Sequence, residues 1–405
     1  MTNENKISLL KDELKAELIN NILPYWMDKM EDDENGGFYG RISGEEQLMP
    51  HAEKGGILNA RILWTFSSAY IALRDPAYLK IATRARDYIL AHFFDTENGG
   101  TYWSLTYDGK LLDPKKQIYS IAFFIYAFSE YYRATGDKVS LDKAVELFHL
   151  IENYSFDLDD NGYFEAYSRD WKLLDNLRLS EKDANEKKTM NTHLHILEAY
   201  TNLYRVWNNS FLKDQLQNLL LVFLDKIVDN ETCHLNLFFD EKWKCKSSVI
   251  SYGHDIEASW LLYEAAEVLG DESLKIRTAE VCMKIVNAAS EGLQDDGSII
   301  YEKDKINGHV DRDRHWWPQA EAIVGYLNAY QLTQEDSFFG MAGGSWDYIK
   351  KHLIDHKNGE WFWSIKADGS INRTDDKAGF WKCPYHNARA CLETVQRCNS
   401  LGLRK

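Results

Sequence analysis

The stretch Ser251-Tyr252-Gly253-His254-Asp255-Ile256-Glu257 opens a long apolar segment that runs through Trp260, Leu261, Leu262, Ala265 and Leu269. On a helix, His254 and Glu257 share a face, so a base and a carboxylate stand together one turn from the helix start. Gly253 and Tyr252 read as the turn into that helix, whose first unpaired N–H groups face whatever lies in front of it. Taken alone, the pair is equally compatible with a buried histidine bonded to a neighbouring glutamate. Comparable polar residues, however, sit in five other apolar segments: Arg61 in LNARILW, Tyr119 in KQIYSIAFF, Asn191 and His195 in MNTHLHILEAY, Trp317 and Glu321 in RHWWPQAEA, and Trp381 and His386 in FWKCPYHNA. His193 and His195 point about 200° apart on a helix. One of them can join the others, and His195 is taken to be that one.

Two or three histidines, two carboxylates, an arginine and several aromatics suit a neutral polyhydroxylated ligand. Indole and phenol rings stack on the C–H faces of a sugar, while Arg, Asn and Glu match its hydroxyls. Histidine, with an unperturbed pKa of about 6.5, is the base for taking a proton from carbon and returning it near neutral pH. Two opposed histidines can remove a proton from one face and deliver one to the other, which inverts a stereocentre. Helix N-termini would stabilise the enediolate oxygen. Three other readings use the same residues. His195, His254, His386 and Glu257 could ligate Zn²⁺, although no H-E-x-x-H signature is present. Two carboxylates from Glu257, Glu321, Asp311 and Asp313 could cleave a glycosidic bond, which leaves the histidines without a task. A sugar-binding protein with no catalysis would need only the aromatics and hydroxyl partners.

The elements that position these residues are legible as a repeat. Turns recur at Asp33-Glu34-Asn35-Gly36-Gly37, Asp95-Thr96-Glu97-Asn98-Gly99-Gly100 and Asp159-Asp160-Asn161-Gly162, with Asn35, Asn98 and Asn161 at equal intervals of 63 residues. Weaker copies follow at Asp295-Asp296-Gly297 and His356-Lys357-Asn358-Gly359, and a degenerate one lies between Asp229 and Trp243. Asn-Gly favours positive φ, and the flanking alternation suits short hairpin strands. Between the turns, apolar periodicity predicts twelve helices, over 6–30, 54–74, 76–94, 116–136, 138–154, 189–208, 210–228, 253–270, 272–290, 316–333, 335–354 and 381–399. The odd-numbered ones from the third onward are amphipathic, as in Leu141, Ala144, Val145, Phe148 and Ile151 against Asp142, Lys143 and Glu146. The even-numbered ones are apolar nearly all round, as helices buried on every side must be. Six outer and six inner helices paired in sequence predict an all-α fold, a single (α/α)6 barrel over residues 1–405, with hairpins at the face where inner helices begin. The chemistry-bearing residues cluster at those beginnings. The polar stretch 178–188 reads as an exposed loop over that mouth.

Composition narrows the partners. The 405 residues are 44% hydrophobic and 27% charged with a formal charge of -16, which suits a globular protein repelled by nucleic acid and by anionic membranes. No apolar run spans a bilayer and the first residues lack a secretory h-region, so a cytoplasmic location is expected. Cys233, Cys245, Cys282, Cys383, Cys391 and Cys398 are dispersed, and free thiols are expected. Nothing in the sequence fixes an oligomeric state, and a monomer is compatible with it.

Four segments, LSEKDANEKKTMNTHLHILEAY, SYGHDIEASWLL, RHWWPQAEAIVGYLNAY and GFWKCPYHNARACLE, resemble the N-acylglucosamine 2-epimerase superfamily, and within it the cellobiose 2-epimerases, over essentially the whole chain. The resemblance implies an (α/α)6 barrel and reversible C2 epimerisation of the reducing-end glucose of β-1,4-linked disaccharides and oligosaccharides to mannose, without metal or other cofactor. It implies that His254 and His386 exchange the C2 proton through a cis-enediol and that His195 assists ring opening. It implies further that Arg61, Tyr119, Asn191, Glu257 and Glu321 hold the reacting sugar, that Trp317 and Trp381 form the aromatic platform, and that Asp183 lies close to the substrate. Mannose 2-epimerases, N-acylglucosamine 2-epimerases and aldose–ketose isomerases are the neighbouring alternatives.

Overall fold

The computed structural model describes residues 3–402. Twelve helices alternate between two layers. The outer ones are α1 (Asn3–Glu17, Leu18–Ile22 and Leu23–Lys29 in succession), α3 (Pro76–His92), α5 (Lys138–Tyr154), α7 (Ser210–Val222 continuing through Phe223–Ile227), α9 (Glu272–Ala289) and α11 (Asp336–Tyr348 continuing through Ile349–Leu353). The inner ones are α2 (Gly56–Leu73), α4 (Ile118–Thr135), α6 (Met190–Val206), α8 (Tyr252–Leu269), α10 (Trp316–Thr333) and α12 (Tyr385–Gly402). Each inner helix packs on the next, and α12 packs back on α2, so the inner ring is closed. Each outer helix covers its inner neighbour, with α1 against α12. This is the expected (α/α)6 barrel.

The two layers end differently. Inner helices α2, α4, α8 and α10 finish in a left-handed residue, at Arg74, Gly136, Gly270 and Gln334. The outer helices α3, α5, α7 and α9 start from an aspartate or asparagine whose side chain accepts a first-turn N–H group, at Asp75, Asp137, Asn209 and Asp271, whereas α11 starts after Glu335 with no side-chain cap. At the opposite face, Gly55, Gln117, Ser251 and His315 precede α2, α4, α8 and α10 without any side-chain cap, and only Thr189 caps, on α6. The mouth is therefore ringed by helix N-termini with N–H groups left over.

The hairpins differ from expectation in two ways. Their aspartates stand one or two residues earlier, at Asp32 and Asp157, where a carboxylate oxygen accepts the N–H groups of Glu34 and Asn35, or of Asp159 and Asp160. Moreover, the hairpin arms meet in single bridges, such as Phe94 with Thr101 and Ile354 with Trp361. The two-residue strands pair instead with the segment entering the preceding inner helix: Ser104–Leu105 with Lys54–Gly55, Ala166–Tyr167 with Lys116–Gln117, Phe238–Phe239 with Lys188–Thr189, and Ser364–Ile365 with Arg314–His315. Val249–Ser251 pairs likewise with Glu302–Asp304, and the Ile42–Ala378 bridge closes the circle. Two further boundaries move. Tyr252 and Gly253 lie inside α8 rather than in a turn, and α12 begins at Tyr385 rather than 381, after Pro384. All six cysteines are free, and no helix of the described residues is long and apolar enough to cross a membrane.

Candidate active site

The starts of the inner helices carry three imidazoles, each held through Nδ1. On α6, His195 Nδ1 lies 2.9 Å from Glu198 Oε2. On α8, His254 Nδ1 lies 2.8 Å from Ser251 Oγ. On α12, His386 Nδ1 lies 2.7 Å from Glu321 Oε1 of α10. In all three, Nε2 is the nitrogen left for a ligand. His193 has both nitrogens engaged: Nδ1 lies 2.6 Å from the carbonyl of Thr189, and Nε2 accepts the N–H of Tyr163 at 2.9 Å. It braces the hairpin instead.

Trp317 packs against two of these bases. Its ring centroid is 4.7 Å from that of His254 and 5.6 Å from that of His386. The two imidazoles from different helices thus touch one indole and stand within the span of a sugar. The packing needs Gly253, because a Cβ there would come within 2.5 Å of the Trp317 ring. Opposite them, Arg61 donates from Nη2 to Tyr119 Oη at 2.9 Å, and its guanidinium lies over Phe123 and Tyr385 at 4.2 and 4.7 Å. Tyr119 meets His195 edge-on at 4.9 Å and Trp381 at 6.4 Å. Trp381 lies in the loop before α12, not on the helix, and packs against Trp103. The carbonyl of Trp381 and the thiol of Cys383 are the remaining neighbours of Arg61, at 3.4 and 3.5 Å. No carboxylate among the described residues pairs with Arg61, and its Nε is buried without a partner, as is Oδ1 of Asn191. A buried, unpaired guanidinium and amide oxygen are groups that a hydroxylated ligand satisfies.

Two residues absent from the sequence expectation tie the site together. Arg389 of α12 donates through Nη2 to Oε1 of both Glu257 and Glu321, at 2.5 and 2.6 Å, and through Nη1 to Glu198 Oε1 and Tyr385 Oη. One guanidinium thereby serves the carboxylates behind His195 and His386 together. Glu198 and Arg389 each stand three residues after a site histidine, the spacing already noticed for His254 and Glu257, and that spacing was the signal for both. Glu257, Glu321 and His386 have ligand atoms within 4.8 Å of one another, but the cation among them is Arg389. His195 and His254, the other metal ligands considered from sequence, lie outside that group. For glycoside cleavage, Glu257 and Glu321 share one arginine instead of flanking a bond, and Asp313 accepts the N–H of Ala367 in a neighbouring hairpin.

The electrostatics follow from burial. Burial pushes His254 down to about 3. Burial and the guanidinium groups of Arg61 and Arg389 hold His386 well below the ordinary imidazole range. Burial also lowers His195. All three are neutral near pH 7, as proton acceptors must be. Glu257 is pushed up to about 8 by burial and by Glu321, while burial of Glu198 is outweighed by Arg389 and His195, which hold it at about 2. Asp183 accepts from the N–H and hydroxyl of Ser180 at 2.8 and 2.9 Å, and its charge reaches Tyr301 and Glu302 two repeats further on. The loop carrying it thus extends over the mouth.

A helical barrel whose mouth gathers neutral imidazoles beside an unpaired arginine defines an enzyme of the carbohydrate epimerase and isomerase class. The chain belongs to the N-acylglucosamine 2-epimerase family, whose model matches residues 37–390. It is 58% identical to a cellobiose 2-epimerase of Bacteroides fragilis over 96% of this chain and 99% of that one, and 43% identical to one of Ruminococcus albus over the same shares. The solved structure of cellobiose 2-epimerase from Bacillus thermoamylovorans superposes with a TM-score of 0.92 at 42% identity, covering 96% of this chain and all of that one.

Proposed function

We propose that the whole chain acts as one catalytic domain, a cellobiose 2-epimerase that interconverts glucose and mannose at the reducing end of β-1,4-linked disaccharides and oligosaccharides. The observation that carries this reading is the placement of His254 and His386 on one indole, both neutral and both with Nε2 free. After ring opening, assisted by His195, one histidine takes the C2 proton. The resulting cis-enediol, its negative oxygen facing Arg61 and the uncapped helix ends, turns about C2–C3 while the remote sugar stays anchored. The other histidine takes a proton from solvent and delivers it to the opposite face, and the first releases the C2 proton to solvent. Tyr119, Asn191, Glu257 and Glu321 hold the reacting sugar, Trp317 and Trp381 stack on it, and Asp183 approaches from the loop. Arg389 supplies the fixed positive charge among the carboxylates, which supports a reaction independent of metal. A cytoplasmic location, a monomeric state and the absence of nucleic-acid or membrane partners belong to the same reading.

The test is NMR of cellobiose with the protein in D₂O. Deuterium should enter C2 as the mannose-ended epimer forms. His254→Ala and His386→Ala should each lower turnover by roughly 10²–10⁴-fold, the range that a positioned acid–base group contributes. Undiminished epimer formation by either variant would falsify the assignment. Release of free monosaccharide would point to hydrolysis, and a fructose-ended product to protonation at C1.

A further inference from the structure

Four of the six loops leading from an outer helix to the next inner one share a device, and the loop between α9 and α10, with Arg314 two residues ahead of the helix, is without it. A buried lysine near the end of the loop reaches the aspartate at its beginning: Lys54 to Asp32 at 2.8 Å, Lys116 to Asp95 at 2.9 Å, Lys188 to Asp157 at 2.6 Å and Lys377 to Asp355 at 2.6 Å. In the first three, the lysine stands two residues ahead of the inner helix. The loop between α7 and α8 departs from this. Asp229 still accepts the N–H groups of Glu231 and Thr232, but the position two residues ahead of α8 is Ile250. In place of the lysine, His234 directs Nδ1 to Asp255 Oδ2 at 2.7 Å, and Asp255 Oδ1 accepts the N–H of Leu235 at 2.8 Å. His234 is 2% exposed and Asp255 is fully buried. Asp255 is the fourth residue of α8 and the neighbour of His254.

Three titratable groups face His234: Asp255 from α8, Glu291 from the turn after α9, whose carboxylate is 3.6 Å from Nε2, and Tyr252 from the start of α8, with its ring centroid at 5.9 Å. Burial, Glu291 and Asp255 all raise Tyr252, which stays neutral.

We propose that His234 and Asp255 are positioning residues for His254, and that their pair replaces the permanent lysine latch of four other loops with one that titrates. The proposal rests on the epimerase reading for its link to turnover. Burial opposes the charged imidazole, but Asp255 and then Glu291 outweigh it and raise His234 above its ordinary value of 6.5. A group raised in the folded state contributes stability that is fully present below its unfolded pKa and is lost as pH rises through its folded pKa. The grip on α8 therefore loosens as pH rises through that raised value. The alkaline limb of turnover is set by a residue that acts only through His254.

The experiment compares the full-length wild type with His234→Lys and His234→Gln, following cellobiose epimerisation and thermal unfolding against pH. His234→Lys should keep KM within about twofold and move the alkaline limb of kcat upward by about one pH unit or more, since a lysine stays charged to about 10. His234→Gln, uncharged throughout, should lower kcat by roughly tenfold at neutral pH and erase the limb. Alkaline limbs in the folded variants that coincide with that of the wild type overturn the proposal. If His234→Lys does not fold, His234→Gln carries the comparison. If neither folds, NMR titration of the wild-type histidines decides, because His234 must titrate above 6.5. A wild type that does not epimerise cellobiose defeats the functional reading instead. The latch is then read from Tm alone, which must fall as pH rises above 6.5 in the wild type by more than it does in His234→Gln.

Discussion

Neutrality is what makes the site histidines useful, and it originates in burial. An imidazole whose folded pKa is depressed remains a free base as pH falls below its ordinary value. The acid limb of kcat/KM should therefore lie below 6.5, the ordinary imidazole value from which burial displaces His254 and His386. A pH–rate profile in a constant-ionic-strength buffer series checks this, and a limb at or above that value contradicts it. Gly253 makes a second prediction at the same scale. Replacing it with alanine drives a methyl into the Trp317 ring, so Gly253→Ala should destabilise by about 1–3 kcal/mol. Its kcat should fall by roughly 10²-fold, because the displaced indole carries both bases. Unfolding curves and steady-state kinetics on one preparation separate the two effects. Of the site residues, those that look odd in an apolar helix were legible: Arg61, His195, His254, Glu257, Glu321 and His386. Glu198 and Arg389 escaped because a charged residue one turn further along looks like any solvated face until the opposite helix buries it.

At the scale of elements, the loops entering the mouth are fixed by ion pairs from which water is excluded. Lys54 and Asp32 both have fully buried side chains. Lys54→Met leaves an uncompensated charge and should cost about 3–5 kcal/mol in chemical denaturation, whereas adding Asp32→Asn should recover a large part of that loss. Equal stability of the single and double variants would remove the latch. Helix periods and Asn-Gly turns announced these elements, since 3.6-residue periodicity and positive φ are local properties. The strand partners were not announced. Arms expected to pair within each hairpin pair instead with the entry to the inner helix, a choice between backbone groups that neighbour in space and not in sequence. The start of α12 moved for a local reason: Pro384 disfavours helix in the residue before it.

At the scale of the molecule, the barrel is closed by joining its first and last elements. Trp26 of α1 donates to Glu360 at 2.7 Å, Glu360 holds Lys382 at 2.8 Å beside Trp381, and Glu13 takes Trp346 and Lys350 of α11 at 2.7 Å each. Removing residues 3–29 should therefore expose the apolar face of α12 and unsettle the loop that carries Trp381. The truncated chain should bind 8-anilinonaphthalene-1-sulfonate and lose its cooperative thermal transition. A truncated chain that melts sharply and still epimerises would show that closure is dispensable.

By itself the sequence determined the twelve helices, their sorting into two layers, the recurring turns and the residue types gathered at one end, because each depends on periodicity or on the preferences of a few adjacent residues. Only the tertiary structure decided which nitrogen of each histidine is held, that one indole touches both His254 and His386, that Arg61 lacks a carboxylate while Arg389 has three, and that the fourth loop is latched by histidine. Most of those outcomes depend on distances between side chains of different elements, as much as 191 residues apart for Glu198 and Arg389, and on the water their packing excludes, and no local pattern encodes either.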